Sequence, residues 1–266
     1  MSPLLWLKLK KYSKLENYIA FVQSTDLSKV PPLSRGDTDG LKRPDVPGLF
    51  TYLPVYDALR QKYALDTAVR GNTDFERALS VMQWLTDNTW YSGAQYHLLR
   101  DDPLQILDYA YRKPFKNAIN CRFKAIVLSD LLQAFGIPAY PIAMLDSNKN
   151  GNHLTVHVYL KERKQWALFD PSFNTYFTGE DGVLFNAVTL REYFLSGSRP
   201  VIHGYAFNKT QQCRQVYEQV FIRSCLTNLT TWHDNSMNGR TTKQWSGRKQ
   251  FDCRLPDTEE MENGLL

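Results

Sequence analysis

Between residues 117 and 173 a cysteine, a histidine and an aspartate stand in an order that can carry nucleophilic catalysis. Asn120-Cys121-Arg122-Phe123-Lys124-Ala125 opens an apolar helix, Asn152-His153-Leu154-Thr155-Val156 opens a strand, and Trp166-Ala167-Leu168-Phe169-Asp170-Pro171 closes another. A cysteine at a helix N-terminus meets unpaired N–H groups and the positive end of the helix dipole, and both favour the thiolate. The same N–H groups can stabilise an oxyanion on a substrate carbonyl. A histidine then takes and returns the proton, and a carboxylate holds its tautomer. Taken singly, Cys121 reads as an inert buried thiol, because Cys is among the most buried residues. The histidine and aspartate downstream are what give it a chemistry.

Two histidines compete for the role of base. His153 and His157 lie at even spacing on one strand, about 13 Å apart at about 3.3 Å per residue, so only one can partner Cys121. The register around the following turn does not choose between them. That separation also argues against a two-histidine metal site. His97, His203 and His233 are isolated, and Glu76, Asp101 and Asp102 are explained by helix starts.

The elements that must position these groups are legible nearby. A short helix is expected between Tyr52 and Tyr63. Thr73-Asp74-Phe75-Glu76 has the form of a capping box, with Phe75, Ala78, Leu79, Met82 and Leu85 following at helical spacing. Asp102-Pro103 marks another helix start. After Cys121, apolar residues surround most of the helix and leave a narrow polar stripe at Arg122, Ser129 and Gln133, so the helix should be buried. Gly136 and Pro138 end it. Strands are expected over residues 139–144, 153–160 and 166–170, with Lys161-Glu162-Arg163-Lys164 as a hairpin turn. Thr189-Leu190-Arg191-Glu192 reads as a second capping box, opening a helix that Gly197 ends. Residues 213–225 are expected to be helical, residues 235–247 loop, and the tail from Asp257 frayed.

The chain of 266 residues, 43% hydrophobic, can bury a substantial core. Its net charge of +5 is spread among interleaved acids and bases, which argues against a nucleic-acid partner. The exception, Leu7-Lys8-Leu9-Lys10-Lys11, reads as a solvated amphipathic start. There is no run long enough for a membrane span and no secretory signal pattern. Cys121, Cys213, Cys225 and Cys253 form neither a disulfide scaffold nor a CxxC zinc pair, so a reducing, cytoplasmic setting is expected, with no cofactor. Proline and glycine clusters at residues 31–36 and 43–48 suggest an irregular arm.

The linked signals resemble the core of the transglutaminase-like superfamily of papain-like fold. They are Cys121 at a buried helix start, Gly136-Ile137-Pro138-Ala139 at its exit, His153 opening a strand, and Trp166 followed four residues later by Asp170-Pro171. The resemblance covers about residues 70–175. It departs from the family at Ile119, where a glycine is usual, and at Thr155 and His157, two and four residues past the histidine. No family position identifies an aromatic oxyanion donor among Trp84, Trp90 and Tyr91. The resemblance implies Cys121 as nucleophile, His153 as base and Asp170 as its orienting carboxylate. It further implies an α+β papain-like/transglutaminase-core fold, with a buried Cys-bearing helix packed on an antiparallel sheet. On this reading residues 66–200 form the catalytic core, 1–65 an N-terminal arm and 201–266 a C-terminal extension. The expected activity is acyl transfer from an amide of a protein or peptide, glutamine or other, through a thioester. Hydrolysis is favoured over transamidation because neither a calcium loop nor appended sandwich domains are evident. The rival is a catalytically inactive binding or structural module on the same fold.

Overall fold

The computed structural model describes residues 19–20, 24–34, 52–93, 99–113, 117–147, 152–208 and 214–231. The Lys-rich start, the Pro/Gly cluster at 43–48, His97, Cys213, His233, Cys253, the 235–247 segment and the C-terminal tail lie outside them.

Local signals set the helix boundaries. Helix α1 (Val55–Lys62) and the single turn α2 (Leu65–Ala68) precede α3 (Asp74–Asn88). The capping box at the start of α3 is complete: Thr73 accepts from the Glu76 N–H, and the Glu76 carboxylate accepts from the Thr73 N–H. Helix α4 (Pro103–Ala110) starts on Asp102, whose carboxylate accepts from Leu104 and Gln105. Helix α5 (Cys121–Ala134) starts on Asn120, whose side chain accepts from the Phe123 N–H at 3.1 Å. Losing such a cap costs about 1 kcal/mol. Gly136, at φ 71°, supplies the left-handed residue that ends α5.

Every residue of α5 except Arg122 is buried. This corrects the expected polar stripe, because Ser129 and Gln133 have no solvent face. Gln133 is instead used inside, donating to the Ala139 carbonyl at 2.7 Å and accepting from the Tyr56 hydroxyl at 3.1 Å. Helices α1, α3 and α4 pack against α5, as do the two strands that follow it. Each fully buried Leu or Ile there contributes about 1.5–3 kcal/mol.

The strands are β1 (Ala139–Leu145), β2 (Asn152–Leu160), β3 (Gln165–Asp170), β4 (Thr175–Thr178), β5 (Val201–His203) and β6 (Asn228–Thr230). They form one antiparallel sheet in the order β5-β4-β3-β2-β1-β6. Strand β2 sits near its centre and is buried from His153 to Leu160.

The charged turn between β2 and β3 does more than meet solvent. Glu162 accepts from the Phe75 N–H at the start of α3, and the Lys161 ammonium donates to the Gly136 carbonyl at the end of α5. An acid at a helix N-terminus and a base at a C-terminus both follow the helix dipole. These contacts tie the β2–β3 hairpin to the helices, and thereby His153 and Asp170 to Cys121.

Helix α6 (Ala187–Leu195) begins earlier than its sequence pattern suggested. Its capping box is Asn186 with Thr189, not Thr189 with Glu192. The backbone of Phe185 is still paired with Phe177 and Leu168, so the chain leaves the sheet at Asn186 and the first side chain able to cap takes the position. Residues 214–227 are helical but irregular. A short α turn (Arg214–Val216) widens into a π-type turn (Tyr217–Ile222) and tightens again (Arg223–Thr227). This segment packs on β1 and β2 and leads into β6.

Candidate active site

Each of the three chemical groups is delivered by a different constraint. Cys121 is the first residue of α5, so the Asn120 cap fixes its backbone. His153 is the second residue of β2, and Asp170 ends β3. The β2–β3 register places Val156 opposite Phe169, which brings the two residues near the same end of the hairpin.

His153 Nε2 and Asp170 Oδ2 are 2.7 Å apart, and both side chains are fully buried. A carboxylate can only accept, so Nε2 carries the proton and Nδ1 is left as the basic nitrogen of the neutral ring. Nδ1 has no hydrogen-bond partner among the described residues, and Cys121, from the start of α5, interacts electrostatically with the ring. Burial alone would push the imidazole's pKa down. The charge and hydrogen bond of Asp170, with a further contribution from Cys121, outweigh it and raise the pKa to about 10. The ring is therefore favoured in its protonated form beside Cys121.

Asp170 is itself anchored. Its Oδ1 accepts from the Ser172 N–H at 2.9 Å, an Asx-type turn across Pro171. The Tyr217 hydroxyl lies beside it. Burial first, then the carboxylate's charge, pushes that phenol's pKa well above its ordinary value, so it remains a neutral donor.

Both ring nitrogens of His157 are engaged by neighbouring groups. The backbone N–H of Ala187 donates to its Nε2 at 3.0 Å, so that nitrogen is unprotonated, and Nδ1–H faces the Tyr140 hydroxyl at 3.0 Å. Burial lowers its pKa to about 3. It is a neutral strut that caps the first turn of α6. His203 stands apart, bonded to Thr178 and stacked on Tyr176.

Four residues at the site had no assigned role in the sequence. The ring of Tyr91 lies 6.4 Å from His153, and its backbone is clamped by the Asn208 side-chain amide, which bonds both its N–H and its carbonyl. Tyr91 also pairs with Ile119, two residues before the cysteine. Phe221, from the π-type turn, sits 5.4 Å from the His153 ring. Lys124 is buried on α5, and Tyr217 approaches Asp170. Only Lys124 left a signal, as a lysine on a helix whose remaining faces are almost all apolar. The others arrive from distant sequence positions.

Of the described cysteines, Cys121 and Cys225 are both free thiols. Cys121 keeps 9% of its surface exposed. Burial pushes the Cys225 thiol up to about 12. No group of His, Cys, Asp and Glu able to hold a metal ion occurs among the described residues. No described helix is long and apolar enough to cross a membrane.

Residues 61–171 match the family model of the transglutaminase-like superfamily. Among solved structures, a "putative cysteine protease" from Cytophaga hutchinsonii aligns at 16% identity with a TM-score of 0.33. The alignment covers 56% of this chain and 45% of that one. No curated protein matches the chain. The fold is α+β, with the Cys-bearing helix buried against an antiparallel sheet, and the stretch that matches the transglutaminase-like superfamily, residues 61–171, spans that helix and the strands that follow it.

Proposed function

For a chain whose residues 61–171 carry a transglutaminase-like core, we propose cysteine-dependent acyl transfer from an amide or peptide carbonyl, with Cys121, His153 and Asp170 as the catalytic groups. The observation that carries this reading is the buried His153–Asp170 pair at 2.7 Å, which leaves Nδ1 as the nitrogen for Cys121. In the mechanism, Cys121 has given its proton to His153 Nδ1, and the thiolate of this ion pair attacks the amide carbonyl. The Cys121 backbone N–H, in the first turn of α5 and so without an acceptor within the helix, donates to the oxyanion in this reading. The imidazolium protonates the leaving nitrogen, the C–N bond breaks, and a thioester remains on Cys121. His153 then takes a proton from the acceptor, the acceptor attacks the thioester, and the thiol is regenerated. Asp170 keeps Nε2–H donated and offsets the positive ring throughout.

Water is the acceptor we favour, giving hydrolysis of a protein or peptide substrate. His153 is fully buried and Cys121 only 9% exposed, so a small acceptor reaches the thioester more readily than a lysine side chain. The division of labour proposed with it assigns the chemistry to residues 66–200, flanked by an N-terminal arm and a C-terminal extension. A reducing, cytoplasmic setting suits a mechanism that needs a free thiol.

The test is incubation with glutamine-containing and other peptide amides, with and without a primary amine. Intact-mass detection follows the acyl-enzyme, and released ammonia or cleaved peptide reports turnover. Hydrolysis in wild type, lost in Cys121→Ser and His153→Ala, is expected. Amine incorporation in preference to hydrolysis would make the chain a transamidase. Absence of any acyl-enzyme together with an unreactive Cys121 would leave a non-catalytic binding module.

A further inference from the structure

Among the described residues, the rings of Phe221, Phe173 and Tyr91 stand around the His153 imidazole, at 5.4, 5.8 and 6.4 Å between centroids. His153 and Phe173 are 0% exposed and Tyr91 is 1% exposed, whereas Phe221 is partly exposed. Of these rings, Phe221 is therefore the one that stands between the imidazole and solvent. It comes from the π-type turn (Tyr217–Ile222), beyond the residues that match the family.

This wall is pinned on both sides. Before it, the Tyr217 hydroxyl is bonded to Thr175, the β4 residue paired with Asp170, and the Tyr217 ring lies 4.3 Å from Phe173. After it, the Ser224 hydroxyl donates to the Val220 carbonyl at 2.8 Å. Phe221 itself packs on Phe173 at 4.9 Å. A π-type turn puts the side chains that follow out of α-helical phase, and such turns are frequent at functional sites.

The chemistry makes this ring a constraint on the acceptor. To resolve the thioester, the acceptor must give a proton to His153 Nδ1 while its oxygen or nitrogen bonds the carbonyl carbon. The attacking atom therefore has to lie within hydrogen-bond reach of the imidazole. The C–S bond then breaks, and the ring returns the proton to the Cys121 sulfur. Water needs only that one position. A primary amine carries an alkyl chain that must run from there to solvent past Phe221, and its ammonium must shed a proton and its water against an apolar ring.

We propose that Phe221 determines the acceptor, admitting water and turning away primary amines. The assignment rests on Cys121 and His153 acting as in the proposed reaction, and its test separates the two. p-Nitrophenyl acetate acetylates Cys121 with release of nitrophenolate, and butylamine then competes with water for the thioester. The ratio of N-butylacetamide to acetate, after subtraction of Cys121→Ala, depends neither on how fast the acyl-enzyme forms nor on how much of the chain is folded. Acetate should predominate in wild type. Phe221→Ala should raise the ratio about tenfold, the low end of what one group in an apolar pocket contributes to discrimination. Phe221→Leu should fall between. Phe221→Tyr, which keeps the ring, should hold the wild-type ratio, as should Val216→Ala, which trims a buried side chain elsewhere in the same segment. An unchanged ratio in folded Phe221→Ala would overturn the proposal. So would an equal rise in Val216→Ala, or a wild type that yields the amide in preference to acetate. Absence of acetyl on Cys121 by peptide mapping would instead remove Cys121 as nucleophile, and the role of Phe221 with it.

Discussion

His153 Nε2 donates to Asp170 Oδ2 at 2.7 Å in a site where neither side chain meets solvent, and the ring's other nitrogen is buried without a hydrogen-bond partner among the described residues. A charged pair costs desolvation energy that only good geometry repays, so its charge state governs both stability and chemistry. Asp170 can do this because its second oxygen is already occupied by the Ser172 N–H, which prevents rotation.

Replacing Asp170 by Asn keeps the shape and an acceptor for Nε2–H but removes the charge. The His153 pKa, about 10 when folded, lies above its ordinary 6.5, so the associated stabilisation is complete below pH 6.5 and is lost as pH rises through 10. Asp170→Asn should therefore destabilise by about 1.5–3 kcal/mol at pH 6, the range of a hydrogen bond to a charged group, and by less above pH 10. Urea unfolding at the two pH values measures the difference. An equal loss at both would show that charge is not what the pair contributes.

His157→Ala should act on stability and leave Cys121 reactive. It strips the acceptor from the Ala187 N–H and the partner from the Tyr140 hydroxyl, and it opens a cavity. A loss of about 3–5 kcal/mol is expected. Because its folded pKa is lowered to about 3, its contribution is present above pH 6.5 and is lost as pH falls toward 3. Acid-unfolding curves of wild type and variant should converge over that window. Loss of Cys121 alkylation in folded His157→Ala, with His153→Ala unaffected, would reverse the assignment of the base.

Iodoacetamide at neutral pH should modify Cys121 well before Cys225. Cys225 is buried, bonded to the Val220 carbonyl, and its thiol is pushed up to about 12, so almost none is thiolate. Peptide mapping by mass spectrometry distinguishes the two sites. Faster labelling of Cys225 would mean that the 214–227 segment opens readily in solution, and the packing of Phe221 on His153 would then be transient.

Much of this site was legible because its signals are local. Asn120 caps α5 through a bond three residues away, Thr73 and Glu76 close their box within one turn, and Gly136 ends α5 through its own φ. The α5–β1–β2–β3 order and the cysteine, histidine and aspartate at its element ends were readable for the same reason. The start of α6 was misplaced because Asn186-x-x-Thr189 and Thr189-x-x-Glu192 are equally good caps locally; pairing of Phe185 with the sheet decides between them.

What the chain's sequence determined by itself was a set of short-range backbone choices and the three reactive residue types they present. Which histidine faces a carboxylate was decided only by tertiary structure, since His153 and His157 share one strand and one periodicity. They differ in what lies opposite: Asp170 for one, the Ala187 N–H and the Tyr140 hydroxyl for the other. The placement of Asn208, Tyr217 and Phe221 was likewise invisible, because each reaches the site across tens of residues of chain. A pKa is set by the charges, dipoles and burial around a group, and those exist only once α3, α5, the sheet and the 214–227 segment have packed together.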